Sequence, residues 1–371
     1  MHSNEGLVIN YLYQLKEDNR MPENNGPQFN FKENYLNYIN HKPTSLVPCA
    51  FVGNKVFGFG ALNGPSIEKG AQFGDCMDGF GIRWEYPATC DGAAIPANDI
   101  FVLEDICDWR EVVKIPDPAE FDWKAAYAME CQMIGEPDRE HEVVEFGFGN
   151  GVYERLAALM GFEEALYSMA AEPEEVNALF EAITDYKVKA LDYIIDAYHP
   201  DTIMYYDDVA TERSPFFSIE TFRSIVKPHH KRFADECWKR GVIPMYHCCG
   251  KAESLIEDFI DIGWAVWASV QKSNDIAALI EKYGDKIGFS GGFDSTGPVS
   301  RVEATQEEID AEVKRCIDTY GKYHKAYCFW GFRYSGTLDP ANTAREMGKI
   351  IESMVRQSFE KLMSEMPPQQ A

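Results

Sequence analysis

The sequence predicts an α/β fold in which parallel strands alternate with helices and close into a (β/α)8 barrel, preceded by an irregular N-terminal extension. From about residue 140 onward, short apolar runs alternate with helical stripes, and the links between them are short. Residues ~95 to ~360 match the length of about 250 residues that such a barrel needs. An open doubly wound sheet should instead carry a glycine-rich phosphate turn after its first strand. We therefore expect residues 1–90 to pack on the barrel and residues 91–371 to form it, as one catalytic domain.

The predicted strands are short apolar runs that end at glycines, acids or soft ligands. They are "EVVEFGF" (142–148), "TIMYY" (202–206), "VIPMY" (242–246), "AVWASV" (265–270), "KIGFSGG" (286–292) and "AYCFWG" (326–331). Helical stripes stand between them. We expect helices after Pro173, after the N-cap Ser218, over 254–263, over 275–283, over 307–320 and from Pro340.

Composition restricts the partners of the protein. The net charge is −25, with 60 Asp and Glu against 35 Lys and Arg. Such a surface repels polyphosphate and anionic lipid, so we expect neither nucleic acid nor a membrane as partner. The N-terminal residues lack the pattern of a signal peptide, and no apolar run approaches the ~20 residues that span a bilayer. Ten scattered cysteines indicate reduced thiols, and the sequence predicts a cytoplasmic protein.

Catalytic residues of such barrels follow the strands, at their C-terminal ends. The first candidate group is His247-Cys248-Cys249-Gly250, whose imidazole and thiolates suit Zn²⁺. Because alternate residues of an extended segment point the same way, His247 and Cys249 could converge on one ion while Cys248 faces elsewhere. The alternative interpretation is a buried reduced pair beside a core histidine.

Acidic and polar residues follow the other predicted strands. Asp207 and Asp208 are candidate catalytic residues that could serve as general base, hydrogen-bond anchor or metal ligand; otherwise they are a helix cap and a surface charge. Cys328 on the last strand is a candidate third thiolate, or a core cysteine among aromatics. The candidate substrate-binding residues at the remaining strand ends are Asn150, Gln271, Asp294 and Arg333.

Three segments carry a resemblance to a known family: "YYDDVATERSPFFSIETFRSIVKPHHKRF" (205–233), "YHCCGKAESLIEDFIDIGWAVWASVQKSNDIAALIEKYGDKIGFSGGFDS" (246–295) and "TLDPANTAREM" (337–347). In this order they resemble the uroporphyrinogen decarboxylase superfamily, whose fold is a (β/α)8 barrel. True decarboxylases of that family carry an N-terminal Arg-Gln-Ala-Gly-Arg element for substrate carboxylates. This chain has no such element, and its first arginines are Arg20 and Arg83.

The His-x-Cys-Gly pattern instead resembles the corrinoid-dependent methyltransferase branch, which includes coenzyme M methylases and O-demethylase methyltransferases. The resemblance implies a Zn²⁺ cofactor held by His247, Cys249 and a third cysteine. Coenzyme M methylases place that cysteine in a Pro-Gly-Cys on the final strand, where this chain has Phe332, with Cys328 four residues earlier.

The implied reaction moves a methyl group from a small methylated donor to a Co(I) corrinoid carried by a partner protein. An aryl methyl ether is the donor class we predict, although aromatic cores explain the 13% aromatic content equally well; methanol, methylamines and methylthiols stay open. The alternatives are a metal-free decarboxylase and a non-catalytic corrinoid- or tetrapyrrole-binding protein.

Overall fold

The computed structural model describes residues 29–58, 67–69, 76–90, 93–97, 100–333, 335–337 and 339–365. The chain divides into two compact units, and part of the N-terminal extension predicted over 1–90 lies outside the described residues. The first unit comprises residues 1–55, 137–143 and 269–371, and the second comprises residues 56–136 and 144–268.

Parallel strands form the centre of the second unit. Their order is β1-β4-β5-β6-β7, and the pairs β4–β5, β5–β6 and β6–β7 are parallel. Every residue of β4 is buried, as expected for a strand that is covered on both faces. A small antiparallel pair, β2–β3, was not predicted from the sequence. The strand bounds are β1 (Asn54–Phe57), β2 (Trp84–Glu85), β3 (Ile95–Pro96), β4 (Val143–Phe148), β5 (Thr202–Tyr206), β6 (Ile243–His247) and β7 (Val266–Val270).

Helices connect these strands along the chain. The longest one begins with Pro173 at its first position, where a missing N–H costs nothing, and buries a stripe that includes Leu179, Ile183 and Ile194. The segment capped by Ser218 starts as a short turn, passes through a π-helical turn over Phe222–Val226 and continues as a regular helix. The helix bounds are α2 (Trp109–Val112), α3 (Trp123–Ile134), α4 (Val152–Met160), α5 (Phe162–Ala171), α6 (Pro173–Tyr198), α7 (Ile219–Thr221), α8 (Lys227–Lys239) and α9 (Ile256–Ile262).

The first unit has the same alternation of strand and helix. Strands β8 (Gly288–Gly292) and β9 (Tyr327–Trp330) are parallel, with Phe289 opposite Tyr327. Helix α11 (Gln306–Thr319) begins at a capping box, in which the Thr305 side chain accepts from the Glu308 N–H and the Glu308 side chain accepts from the Thr305 N–H. The helices are α1 (Phe31–Ile39), α10 (Ile276–Tyr283), α11 (Gln306–Thr319) and α12 (Pro340–Glu365).

The predicted parallel α/β fold is confirmed. Each apolar run predicted as a strand contains a strand of the structure, with bounds that differ by at most two residues. The strand predicted to end at Tyr246 continues through His247, so the histidine is the last residue of β6. Among the described helices, none combines the length and the apolar character that a bilayer crossing requires.

Candidate metal centre and cavity

The register of the sheet places two candidate motifs side by side. Tyr206, the last residue of β5, lies opposite His247, the last residue of β6. The residues after these strands therefore leave the sheet together, because the carboxyl ends of parallel strands share one edge. The Cys249 N–H donates a hydrogen bond of 2.7 Å to Asp208 Oδ1. This contact joins the aspartate motif to the cysteine motif directly.

Three potential metal ligands come together at this edge. One ligand atom from each of Asp208, His247 and Cys249 lies within 4.8 Å of the others, and all three residues are half-buried. His247 Nε2 and Cys249 Sγ are 3.5 Å apart. A tetrahedral Zn²⁺ at about 2.0–2.1 Å from nitrogen and about 2.3 Å from sulfur requires a separation of ~3.5 Å. The imidazole and thiol therefore fit one zinc ion in chemistry and in spacing, and a carboxylate oxygen of Asp208 lies within 4.8 Å of both.

The surroundings of His247 favour the neutral imidazole, which is the form that binds metals. Burial lowers the pKa of His247, the charge of Asp208 opposes this shift, and the charge of Lys69 adds to it. The ring of Tyr206 lies 4.5 Å from the imidazole, centroid to centroid, and fixes its orientation.

The two remaining residues of the motifs, Asp207 and Cys248, point into the protein. Both are fully buried. The Asp207 carboxylate accepts from the backbone N–H of Glu154 at 2.8 Å and lies 2.7 Å from His230 Nε2, so it caps α4 from outside the helix. The backbone carbonyl of Cys248 accepts from Trp267 Nε1. Asp208 and Cys249 thus face the candidate metal centre, while the residue before each of them packs in the core.

A cavity of about 530 Å³ lies against this edge of the second unit. Asp208 and His247 form part of its polar wall. Its apolar wall combines alanine, isoleucine and proline side chains with six aromatic residues, Trp84, Phe101, Tyr153, Phe162, Tyr206 and Phe216. The size suits a small organic molecule, and aromatic rings are favourable partners for a flat apolar ligand.

Three charged residues that we did not predict, Glu68, Lys69 and Glu154, also line the cavity. Glu154 Oε1 accepts from the Asp208 N–H at 3.2 Å. Burial, with the charges of Asp208 and Asp207, raises the pKa of Glu154 to about 8. The signal for Glu154 was its place in the first turn of the helix that follows β4. Lys69 carried no such signal, because it lies in the irregular N-terminal part of the chain.

A buried group of charges, here called the Arg155 network, holds the cavity wall. Arg155 is fully buried and donates to Asp78 at 2.6 Å and to Glu68 Oε2 at 2.5 Å. Glu68 also accepts from the Tyr186 hydroxyl at 2.7 Å and from Lys187 at 3.3 Å. Burial lowers the pKa of Lys187 to about 8, against the opposing charge of Glu68. The network fixes the segment 67–69 beside the strand ends.

Among the predicted substrate-binding residues, Asn150 lines the cavity. It has a left-handed backbone (φ 49°), and its side-chain amide donates to the Glu68 carbonyl at 2.9 Å. The amide therefore ties the turn after β4 to segment 67–69. Its predicted role in substrate binding stays a proposal.

The other predicted site residues belong to the first unit. Arg333 is fully buried and donates to the carbonyls of Val299 and Arg301 and to the Glu346 carboxylate, so it joins a loop to α12. Asp294 pairs with Lys272. Gln271 is half-buried and its carbonyl accepts from Asn274, while Cys328 is fully buried in β9. Their roles in binding substrate or metal stay predictions.

Comparison with known proteins agrees with the parallel α/β fold. The family model described as "Uroporphyrinogen decarboxylase (URO-D)" matches residues 90–345. The chain therefore belongs to the uroporphyrinogen decarboxylase family, as the resemblance implied, and the predicted fold class is that of the family. No curated protein matches the sequence.

Solved structures are similar to this chain at low sequence identity. A methyltransferase from Methanosarcina mazei is 14% identical with a TM-score of 0.62, and the match covers 90% of this chain and 100% of that protein. An L-ribulose 3-epimerase is 12% identical with a TM-score of 0.39, covering 67% of this chain and 84% of the other.

Proposed function

We propose that the protein is a zinc-dependent methyltransferase that moves a methyl group from a small methylated donor to the Co(I) corrinoid of a partner protein. The donor class we favour is an aryl methyl ether. The observation that carries the proposal is the cluster of Asp208, His247 and Cys249, of which Asp208 and His247 line a cavity with aromatic walls. The similarity to the M. mazei structure, a methyltransferase of the same fold, supports it.

The metal ligands in this proposal are His247, Cys249 and Asp208. Cys328, predicted as the third ligand, stays an alternative to Asp208. Two or three protein ligands leave a position open for the substrate, which is typical of catalytic zinc sites. A bound Zn²⁺ would supply Lewis acidity to the heteroatom that loses the methyl group. Asp208 would also hold the loop of Cys249 in place through the hydrogen bond to its N–H.

The cavity residues define what the donor meets. The aromatic wall, with Tyr153 and Phe216 at 5.4 Å between ring centroids, would bind the ring of an aryl ether and exclude water from the reacting atoms. In the reaction the methyl carbon–oxygen bond breaks with its electron pair on oxygen. Co(I) supplies the pair for the new carbon–cobalt bond, and a proton from solvent completes the phenol.

The test combines metal analysis with methyl transfer. Protein prepared anaerobically under reducing conditions is expected to bind about one equivalent of zinc and to methylate cob(I)alamin from methoxylated aromatics. Methylamines and methanol serve as competing donors in the same panel, and a metal-free decarboxylation assay tests the family's other chemistry. His247→Ala and Cys249→Ala should lose both zinc and methyl transfer.

The matched control is Cys248→Ala, which removes the neighbouring thiol from a fully buried position. It should retain zinc, and circular dichroism checks that all three variants are folded. The proposal fails if the wild-type protein takes up no zinc, or if His247→Ala transfers methyl groups at the wild-type rate.

A further inference from the structure

The Arg155 network positions two cavity residues at once. Its carboxylate Asp78 accepts from the indole N–H of Trp84 at 3.0 Å. Its other carboxylate, Glu68, is the chain neighbour of Lys69, and the Glu68 carbonyl accepts from both Asn150 and Arg155. One buried arginine therefore fixes an aromatic ring and an ammonium group on the same wall.

The geometry around Lys69 is that of a small subsite. Its ammonium lies 5.6 Å from the centroid of the Trp84 ring. Its side chain crosses the turn after β4, since a Cβ built on Gly149 would lie 3.7 Å from Lys69 Cε. A flat ligand that stacks on Trp84 would thus bring a substituent within reach of the ammonium group.

Besides the candidate metal centre, the described cavity wall offers one cationic group to a negatively charged oxygen. Glu68 is neutralised by Arg155 and Lys187. Glu154 and Asp208 are carboxyl groups and offer no positive charge to an anion. Among the described cavity residues, Lys69 is the one lysine or arginine.

We propose that Lys69 binds the oxyanion of an aromatic ligand that lies against Trp84, namely the phenolate that remains when an aryl methyl ether loses its methyl group. This role deepens the proposed function and rests on it for the identity of the ligand. Charge-assisted hydrogen bonds from a preorganised ammonium stabilise such an oxygen where charge accumulates as the bond to carbon breaks. Trp84 supplies the apolar surface for the ring.

The test measures equilibrium binding, without corrinoid and without turnover. The probes are 4-nitrophenolate and its neutral methyl ether, 4-nitroanisole, and binding is measured by equilibrium dialysis at a pH where the phenol is ionised. Lys69→Met should weaken 4-nitrophenolate binding about 10- to 100-fold, the range expected for a lost hydrogen bond to a charged group. Binding of 4-nitroanisole should change little, because that ligand carries no charge.

Two further variants separate charge from structure. Lys69→Arg retains the positive charge and should preserve most of the affinity for 4-nitrophenolate. Lys322→Met removes an exposed lysine that also lies over an aromatic ring, Tyr323, at 5.0 Å, and should change neither affinity. Thermal unfolding checks that each variant is folded.

The inference is overturned if wild-type protein does not bind 4-nitrophenolate, or if Lys69→Met weakens both ligands equally. Methyl transfer does not enter the measurement. If Lys69→Met weakens the binding of 4-nitrophenolate but not of 4-nitroanisole, the subsite is therefore supported even where the methyl-transfer assay fails. A failure of the subsite and a failure of the proposed function are thus distinguishable.

Discussion

Replacement of Arg155 by methionine should destabilise the protein strongly. The side chain is fully buried, and it pairs with two carboxylates while its guanidinium lies 4.0 Å from the Phe80 ring centroid. Methionine retains apolar contact with that ring but leaves Glu68 and Asp78 as buried anions. Breaking a buried ion pair in this way costs about 3–5 kcal/mol.

The remaining contacts of the two carboxylates place the expected cost at the lower end of that range. Asp78 still accepts from the Phe80 and Ile82 N–H groups at 2.9 Å each. Glu68 keeps its hydrogen bond from the Tyr186 hydroxyl and its pairing with Lys187. We therefore expect the free energy of unfolding to fall by about 3 kcal/mol.

Arg110→Met is the matched control. Arg110 also pairs with a carboxylate, Glu175, and also lies over an aromatic ring, Trp109, at 4.6 Å. Its side chain is 54% exposed, so the pair is screened by water and its loss should cost less than about 1 kcal/mol. Urea unfolding followed by circular dichroism measures both variants. A loss below about 1 kcal/mol for Arg155→Met, or equal losses for the two variants, would refute the reasoning.

Two further predictions concern backbone geometry and pH. Gly250→Ala should lower the free energy of unfolding by about 2 kcal/mol or more and weaken zinc binding, because φ is +84° and the new Cβ would lie 2.5 Å from two carbonyl oxygens. The control is Gly241→Ala, where φ is +75° and the new Cβ would meet open space. It should cost only about 1–2 kcal/mol of backbone strain and leave zinc binding unchanged. Burial lowers the pKa of His229 from 6.5 to about 4, so this group contributes stability that is lost as pH falls from 6.5 through 4. His229→Gln should make the free energy of unfolding less dependent on pH. Between pH 6.5 and 4 the variant should lose up to about 3 kcal/mol less stability than the wild-type protein, as measured by urea unfolding at each pH. An equal loss in both proteins would contradict the assignment.

The strand ends could be predicted because hydrophobic alternation is a local signal. The runs that became β5 and β6 are short and apolar, and each is followed at once by polar residues, so Asp208 and Cys249 were found without knowledge of the packing. The same signal could not tell which of Asp207 and Asp208 faces the site and which one caps a helix. Which of two neighbouring acids caps a helix depends on where α4 begins, and that helix is more than fifty residues earlier in the chain.

Lys69, Trp84 and Arg155 could not be predicted from local patterns. Segment 67–69 has no periodicity, and its position is fixed by partners 82 to 119 residues away in sequence. Arg155 lies on a helix, where a charged residue is expected to face solvent. Only the three-dimensional pairing of Arg155 with Glu68 and Asp78 explains why it is buried.

The alternation of side chains at the ends of β5 and β6 limits how the site can change. Tyr206, Asp208, His247 and Cys249 share one face, while Asp207 and Cys248 share the other. Because side chains alternate with a period of two, one inserted residue within β5 or β6 would exchange the residue that faces the candidate metal centre with the residue that faces the core. Substitutions can therefore alter the chemistry of this centre one ligand at a time, but the lengths of both strands must stay constant for any metal to bind there.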